Sequence, residues 1–277
     1  MRQSATMDAA TIGSAATGSA ATGSAATGSA ATGSAAMGSA ATGSAATGSA
    51  AMGSADREKR VAAEAAAELV EDGMSVGLGT GTTVAHLLPA LARRGLDIRC
   101  VATSPHTAAL ARQVGLRIER FSTIDRLDVA VDGADQVAPD GWLVKGGGAA
   151  HTREKLVAAA ADRFIVIVDS TKLVAVLTPP VPLELLGFGI ASSLRRLGAI
   201  GPVRRRDGVA RSPDGGVICD YLGDVVDPRS LAAALEAVPG VVEHGLFPPE
   251  MVAEIIVGRK GRARARHLRA PSSGRGK

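Results

Sequence analysis

The chain has 277 residues, of which 46% are hydrophobic but only 2% aromatic, and a formal net charge of +4. The eight Lys and Arg residues between Gly258 and Lys277, with no acid among them, leave −4 for the rest, so the body gives no electrostatic case for nucleic-acid binding. No run approaches the ~18 apolar residues of a membrane span, and the start, with Arg2 but no Leu/Ile/Val/Phe run, is not a signal peptide, which points to a cytoplasmic protein.

Residues 1–55 repeat Gly-Ser-Ala-Ala-Thr or Gly-Ser-Ala-Ala-Met, with glycines every five residues from 13 to 53. Such a segment has no side chains with which to build a core, so the entropy cost of ordering it goes unopposed and a disordered leader is expected. Met52 lies just before the composition changes, and translation starting there, or at Met7 or Met37, is one reading.

From Asp56 the pattern alternates. DREKRVAAEAAAELVEDG (56–73) predicts a helix with an acidic start and a glycine stop. MSVGLG (74–79) predicts a strand, TGTTVAHLLPALARRG (80–95) a helix, DIRCVAT (97–103) a strand and SPHTAALARQVG (104–115) a helix. LDVAVDGAD (127–135) predicts a strand ending in acids, and LVKGGG (143–148) a strand end and turn. Then come a helix, AAHTREKLVAAAAD (149–162), and a buried strand, RFIVIVDSTK (163–172). Apolar strands alternating with helices predict an α/β fold with a parallel sheet covered on both faces.

Near Thr178 the three prolines of TPPVPLELL predict a linker. An α+β unit of about 70 residues follows, with a helix near 189–198, strands near 201–206 and 215–222, and a helix over 227–240. That last helix has Asp227 as its N-cap and Pro228 in its first turn. VVEHGLF predicts a further strand, and MVAEIIVG (251–258) a return to the main sheet. Cys100 and Cys219 have no metal-ligand spacing and are expected to be reduced, buried thiols.

The chemistry-bearing residues fall at the carboxyl ends of strands, where open α/β sheets bind ligands. In GLGTGTT (77–83), glycines allow close backbone approach, and a helix start offers N–H groups to an anion. The loop lacks the Walker lysine and the third glycine of the dinucleotide fingerprint, so it reads as a phosphate or carboxylate cradle or an ordinary strand–helix turn. The carboxylates of DGAD (132–135) suit sugar hydroxyls, a metal or a capped turn, and no further ligands cluster nearby. In VKGGGAAHTREK (144–155), Lys145 stands at a strand end and Glu154 early in a helix. Glu154 is a candidate general base if desolvated, against a solvated Arg153–Glu154–Lys155 trio. In DSTK (169–172), Lys172 is a phosphate-binding point charge or a loop lysine.

Taken in order, GLGTGTT, TSPHT (103–107), VDGAD (131–135), KGGGAAHTREK (145–155), DSTK and GLF (245–247) resemble the type A ribose-5-phosphate isomerases over about residues 56–258. The resemblance implies a Rossmann-like catalytic domain (56–177 and 247–258) and an inserted small α+β domain (178–246); the basic tail (259–277), outside the pattern, is expected to be disordered from its composition. It implies cofactor-free interconversion of ribose 5-phosphate and ribulose 5-phosphate, a phosphosugar partner and a homodimer; the residues themselves lead to the expectation of no metal, no membrane and no specific nucleic-acid partner. Carried over by position, Glu154 matches the general base, and Lys145 and Asp132 the other catalytic residues. Thr80, Gly81, Thr82 and Thr83 match the substrate loop, and Asp132, Gly133, Ala134 and Asp135 the acidic loop. Lys145, Gly146, Gly147 and Gly148 match the lysine–glycine loop, with Lys172 and Lys59 on the phosphate side. Gln136 stands where the family usually has Glu, and His151 where Leu is commoner; a neutral, solvent-facing His151 is expected, and Arg153 and Lys155 keep a surface reading. Rival readings are a phosphosugar sensor without turnover, which in such regulators follows a helix-turn-helix that the low-complexity leader cannot form, and a transferase using an activated glutamate on the same fold.

Overall fold

In a computed structural model that describes residues 53–268, the predicted alternation becomes a layered α/β structure. The first half runs α1 (Ser54–Ala67), β1 (Ser75–Leu78), α2 (Thr82–Arg94), β2 (Arg99–Ala102), α3 (Pro105–Gln113) and β3 (Arg117–Ile118). Next come β4 (Leu127–Asp132), β5 (Gln136–Val137), β6 (Leu143–Val144), α4 (His151–Ala159) and β7 (Ala161–Asp169). The second half has β8 (Val181–Leu185), α5 (Ile190–Leu197), β9 (Val203–Arg205), β10 (Val217–Tyr221) and α6 (Pro228–Glu236). It closes with β11 (Val241–His244), β12 (Leu246–Phe247), β13 (Glu254–Arg259) and β14 (Arg262–His267). The leader up to residue 52 and the tail from residue 269 lie outside the described residues.

The main sheet has the order β14-β13-β7-β4-β1-β2-β3, and every neighbouring pair is parallel except β13–β14. Its interior strands read as mostly apolar runs because both faces are covered and successive side chains alternate between them. In β7, Ile165 and Ile167 pack with Ala62, Ala66, Leu87 and Leu91 of α1 and α2. Phe164, Val166 and Val168 point the other way, into a core with Val157 and Ala158 of α4. From β1 the chain builds outward through β2 and β3, and from neighbouring β4 it builds the opposite way through β7 and β13. The crevice beyond the carboxyl ends of β1 and β4 is therefore the switch point where such sheets bind ligands.

Residues 181–244 form a second, antiparallel sheet, β11-β8-β10-β9, with α5 and α6. Leu183, Leu185, Leu197, Val217 and Leu235 form its core. As predicted, Asp227 caps α6, accepting hydrogen bonds from the N–H groups of Arg229 and Ser230. A three-stranded sheet, β12-β6-β5, carries the chain into the lysine–glycine loop.

Two predicted features differ. TPPVPLELL is not all linker, because its second half is β8, an interior strand buried at every position. Pro182 is tolerated because its carbonyl, and so its missing donor, faces Gly245, where β11 gives way to β12. The basic tail is also not disordered from Arg259 on, since Arg262–His267 pairs with β13 along its whole length. Arg-Ala alternation suits an edge strand, and Lys260 and Gly261, both at positive φ, make the two-residue hairpin turn that matches strand twist. Glu58 of α1 fastens this hairpin, its carboxylate accepting from the N–H groups of Lys260 (3.1 Å) and Ser170 (3.0 Å).

No described helix is long and apolar enough to cross a membrane. Cys100 and Cys219 are free and buried, and burial pushes the Cys100 thiol up to about 12. Native protein treated with a thiol alkylating agent near pH ~8 should therefore stay unlabelled at both positions and take up two labels after unfolding, read by intact mass. Rapid native labelling at either cysteine would contradict the packing described.

Candidate active site

At the switch point, β4 ends in Asp132 and β1 runs into Gly79 and Thr80. Gly79 is required by close approach, since a Cβ there would stand 1.9 Å from the Asp132 carboxyl group. Asp132 Oδ1 accepts hydrogen bonds from the N–H groups of Thr80 (3.0 Å) and Gly133 (2.7 Å). Its Oδ2 accepts from Lys145 Nζ at 2.9 Å. The same ammonium donates to the Gly133 carbonyl (2.6 Å) and lies 3.1 Å from Glu154 Oε2. Asp132, Lys145 and Glu154 are each at most 5% exposed. The Phe247 ring, from GLF, packs 5.4 Å from Lys145 Nζ.

Two carboxylates around one ammonium leave a surplus negative charge in a dry place. Burial pushes Glu154 up to about 8, Asp132 adds to the rise, and Lys145 opposes it. Burial raises Asp132 too, but Lys145 and the N–H groups of Gly133 and Thr80 oppose it. Burial alone would lower Lys145; Asp132 and Glu154 outweigh it and hold the ammonium well above its ordinary value.

Over this trio lies a cleft of about 130 Å³. Thr80, Gly81, Thr82, Thr83, Gly133, Ala134, Asp135, Lys145, Gly146, Gly147, Gly148, Glu154, Lys172 and Lys59 line it. Of the candidate residues, Asp132 alone lies behind the wall, in contact with Lys145. At one end Lys59 Nζ donates to Thr82 Oγ1 (2.9 Å), beside the first turn of α2 and Lys172. The loop is braced from below by Thr80 and Thr103, whose hydroxyls lie 2.8 Å apart, and by the Thr107 hydroxyl donating to the Gly79 carbonyl (2.9 Å). At the other end the Gly147 N–H donates to Asp135 Oδ2 (2.8 Å). A larger cleft, about 700 Å³, lies beside α4, walled by Val101, Ile118, Phe121 and Leu156, and none of the candidate residues lines it. Among the described residues, Glu236, Glu243 and His244 converge closely enough to hold a metal. They lie outside the active-site cleft, and the Lys155 ammonium already sits on Glu243 (2.6 Å).

Three residues depart from expectation. His151 does not face solvent; it is fully buried and packs against Gly146, with no well-formed hydrogen bond on either ring nitrogen and the Glu243 backbone as its nearest polar contact. Burial, reinforced by Lys155, lowers it to about 3, so the ring is neutral. Lys155 is not a surface residue: it bonds Glu243 and the His244 carbonyl and lies 4.9 Å from the Phe247 ring. Arg206 went unnoticed as one of three consecutive arginines, yet its Nη1 donates to the carbonyls of Gly146 and Gly147, both at 3.1 Å. Only Arg153 keeps its surface reading, paired with Asp214 at 2.7 Å. Gln136 binds both backbone groups of Thr178 through its amide, ahead of the cis Pro179–Pro180 bond.

The family model for ribose 5-phosphate isomerase A (phosphoriboisomerase A) matches residues 99–262. The chain is 48% identical over 216 residues to ribose-5-phosphate isomerase A of Caulobacter vibrioides, covering 74% of this chain and 95% of that one. It belongs to the ribose-5-phosphate isomerase A family. The Neisseria gonorrhoeae family member superimposes with a TM-score of 0.74 at 31% identity, covering 78% of this chain and 98% of that one. A D-ribose-5-phosphate isomerase solved with phospho-erythronic acid gives a TM-score of 0.73 at 34% identity, covering 77% and 99%. The mixed α/β fold with its parallel-sheet core is thus the fold of the family. A second model, the DeoR C-terminal sensor domain, matches residues 54–122.

A buried imidazole with no well-formed hydrogen bond costs stability, and leucine at 151 removes its nitrogens at similar volume. His151→Leu is expected to raise unfolding free energy by about 1 kcal/mol in urea titrations. A destabilised variant would mean that the ring has a partner.

Proposed function

We propose that this chain interconverts D-ribose 5-phosphate and D-ribulose 5-phosphate through an enediolate, with Glu154 as the general base. The observation that carries the reading is the buried Glu154 carboxyl in the cleft floor, 3.1 Å from the Lys145 ammonium, with its pKa lifted to about 8. A base poised near neutrality can both take and return a proton.

The residue roles follow from the geometry. The phosphate lies at the Lys59, Lys172 and Thr80–Thr83 end, where cations, hydroxyls and the start of α2 favour an anion. That remote binding energy orients the sugar. Asp135, exposed on the wall, assists opening of the furanose ring, whereas Asp132 acts through Lys145. Glu154 takes the C2 proton of the open-chain aldose, and the electron pair moves through C1 to the carbonyl oxygen. Lys145 begins with Asp132, Gly133 and Glu154 around it. When Glu154 is neutralised by the proton, its hold on Lys145 weakens, and that N–H turns to the new oxyanion. The hydroxyl proton on O2 passes to O1, and return of the proton from Glu154 to C1 then leaves the carbonyl at C2 and gives the ketose. No cofactor or metal enters these steps.

With this reading go a Rossmann-like catalytic domain (56–177 and 247–258, its sheet extended by β14) and an inserted small domain (178–246), supported by the separate core around Leu183 and Leu235. A cytoplasmic homodimer rests on the family resemblance. The sensor reading has its own support in the match over residues 54–122. That stretch holds the anion-binding loop but neither Lys145 nor Glu154, so the two readings part at turnover.

A coupled assay with ribose 5-phosphate separates them. Wild type should turn over, and Glu154→Gln should keep substrate binding while losing at least ~100-fold in kcat; binding without turnover in wild type supports the sensor. The pH profile gives a second check. Glu154 acts when ionised, so kcat/KM should rise with pH through about 8 and fall on the acid side. Lys145→Met removes a charge that lowers the Glu154 pKa, so the acid limb of its residual activity should move to higher pH. A wild-type limb near the ordinary glutamate value, ~4.3, would place the base in water.

A further inference from the structure

We propose that Arg206 is a positioning residue for the isomerisation: it holds the Gly146–Gly148 peptides so that the Gly148 N–H faces the developing enediolate oxygen. The inference rests on the isomerase reading and extends it to a residue on the small sheet. Arg206 follows β9, and its own N–H is fixed by the Ile218 carbonyl at 3.0 Å. Its Nε donates to Asp220 Oδ2 at 2.9 Å and its Nη2 to Asp220 Oδ1, so a buried carboxylate sets the plane of the guanidinium. A planar, forked cation held on one edge presents the remaining donors in a fixed direction. Those donors fall on the carbonyls of Gly146 and Gly147.

The consequence follows from peptide geometry. In a trans peptide the C=O and the next N–H point opposite ways. The Gly146–Gly147 peptide is gripped at both ends, with its carbonyl on Arg206 and its N–H on Asp135. The Gly147–Gly148 peptide is gripped at the carbonyl alone, so its N–H, that of Gly148, points away from Arg206. Gly148 is exposed and lines the cleft. Glycines have no side chains to fix this arrangement, and Gly146 is already at positive φ. Without Arg206 the loop has other peptide orientations available, most of which waste this donor.

Arg206 backs the Gly146–Gly147 wall but does not itself line the cleft, so its removal should spare phosphate binding at the far end and damage the step in which charge develops. Arg206→Met should lower kcat roughly 10- to 100-fold, the scale of a misplaced catalytic group, while KM for ribose 5-phosphate stays within about threefold. Affinity for phospho-erythronic acid, whose planar carboxylate imitates an enediolate, should fall, and inhibition by inorganic phosphate should not. Added guanidinium ion should restore part of the kcat of Arg206→Ala. Circular dichroism reports whether each variant is folded. If Arg206→Met does not fold, Arg206→Lys carries the same comparison, because a point charge lacks the fork. Arg206 is only structural if kcat stays within twofold, or if phosphate and phospho-erythronic acid weaken together. Failure of the isomerase reading looks different: wild type itself would then not turn over ribose 5-phosphate.

Discussion

One buried ammonium organises this protein. Lys145 stands between Asp132 and Glu154 with almost no access to water. A lone cation could not be buried there, and neither could two carboxylates without it. The trio ties together three segments: the end of β4, the exit of β6 and the first turn of α4. Its balance is deliberately incomplete. One positive charge cannot neutralise two negative ones, and the shortfall falls on Glu154, which lacks the backbone donors that Asp132 enjoys. The same imbalance that costs stability therefore raises the Glu154 pKa.

The rest of the fold can be understood as support for that trio. The parallel sheet reverses its winding between β1 and β4, which opens a crevice at the place where Asp132 emerges. The glycine–threonine loop of β1 bends over Asp132 because Gly79 has no side chain to prevent it. Phe247 brings an aromatic face to both Lys145 and Lys155, which explains why GLF belongs with the catalytic segments although it carries no chemistry itself. From the second sheet, Arg206 reaches the lysine–glycine loop. Glu184 accepts from the hydroxyls of Thr152 and Ser212, pinning the start of α4, and so Glu154, to the same sheet. The cleft lies on the large sheet, but the small sheet holds two of its parts, the lysine–glycine loop and the start of α4.

Much of this was legible in the chain. The helices and most of the main-sheet strands fall near their predicted places, because apolar runs, glycine stops and capping residues such as Asp227 act over a few residues. The loops that line the cleft were found for the same reason, since each is a strand end marked by glycine, threonine or acid. The misreadings were of another kind. Three prolines suggested a linker, and only the partner strands show that β8 tolerates Pro182. An arginine-rich tail suggested disorder, and only pairing with β13 makes it a strand.

By itself, then, the sequence determined the order of elements, the covered parallel sheet and the set of residues around the cleft, because these depend on local periodicity and on chemistry placed at strand ends. Tertiary structure decided which polar groups lose water. It buried His151 without a well-formed hydrogen bond, drew Lys155 off the surface onto Glu243, and set Arg206 against carbonyls some sixty residues away. Burial and contact between distant segments have no local pattern, and they are what separate Glu154 from an ordinary helical glutamate by raising its pKa to about 8.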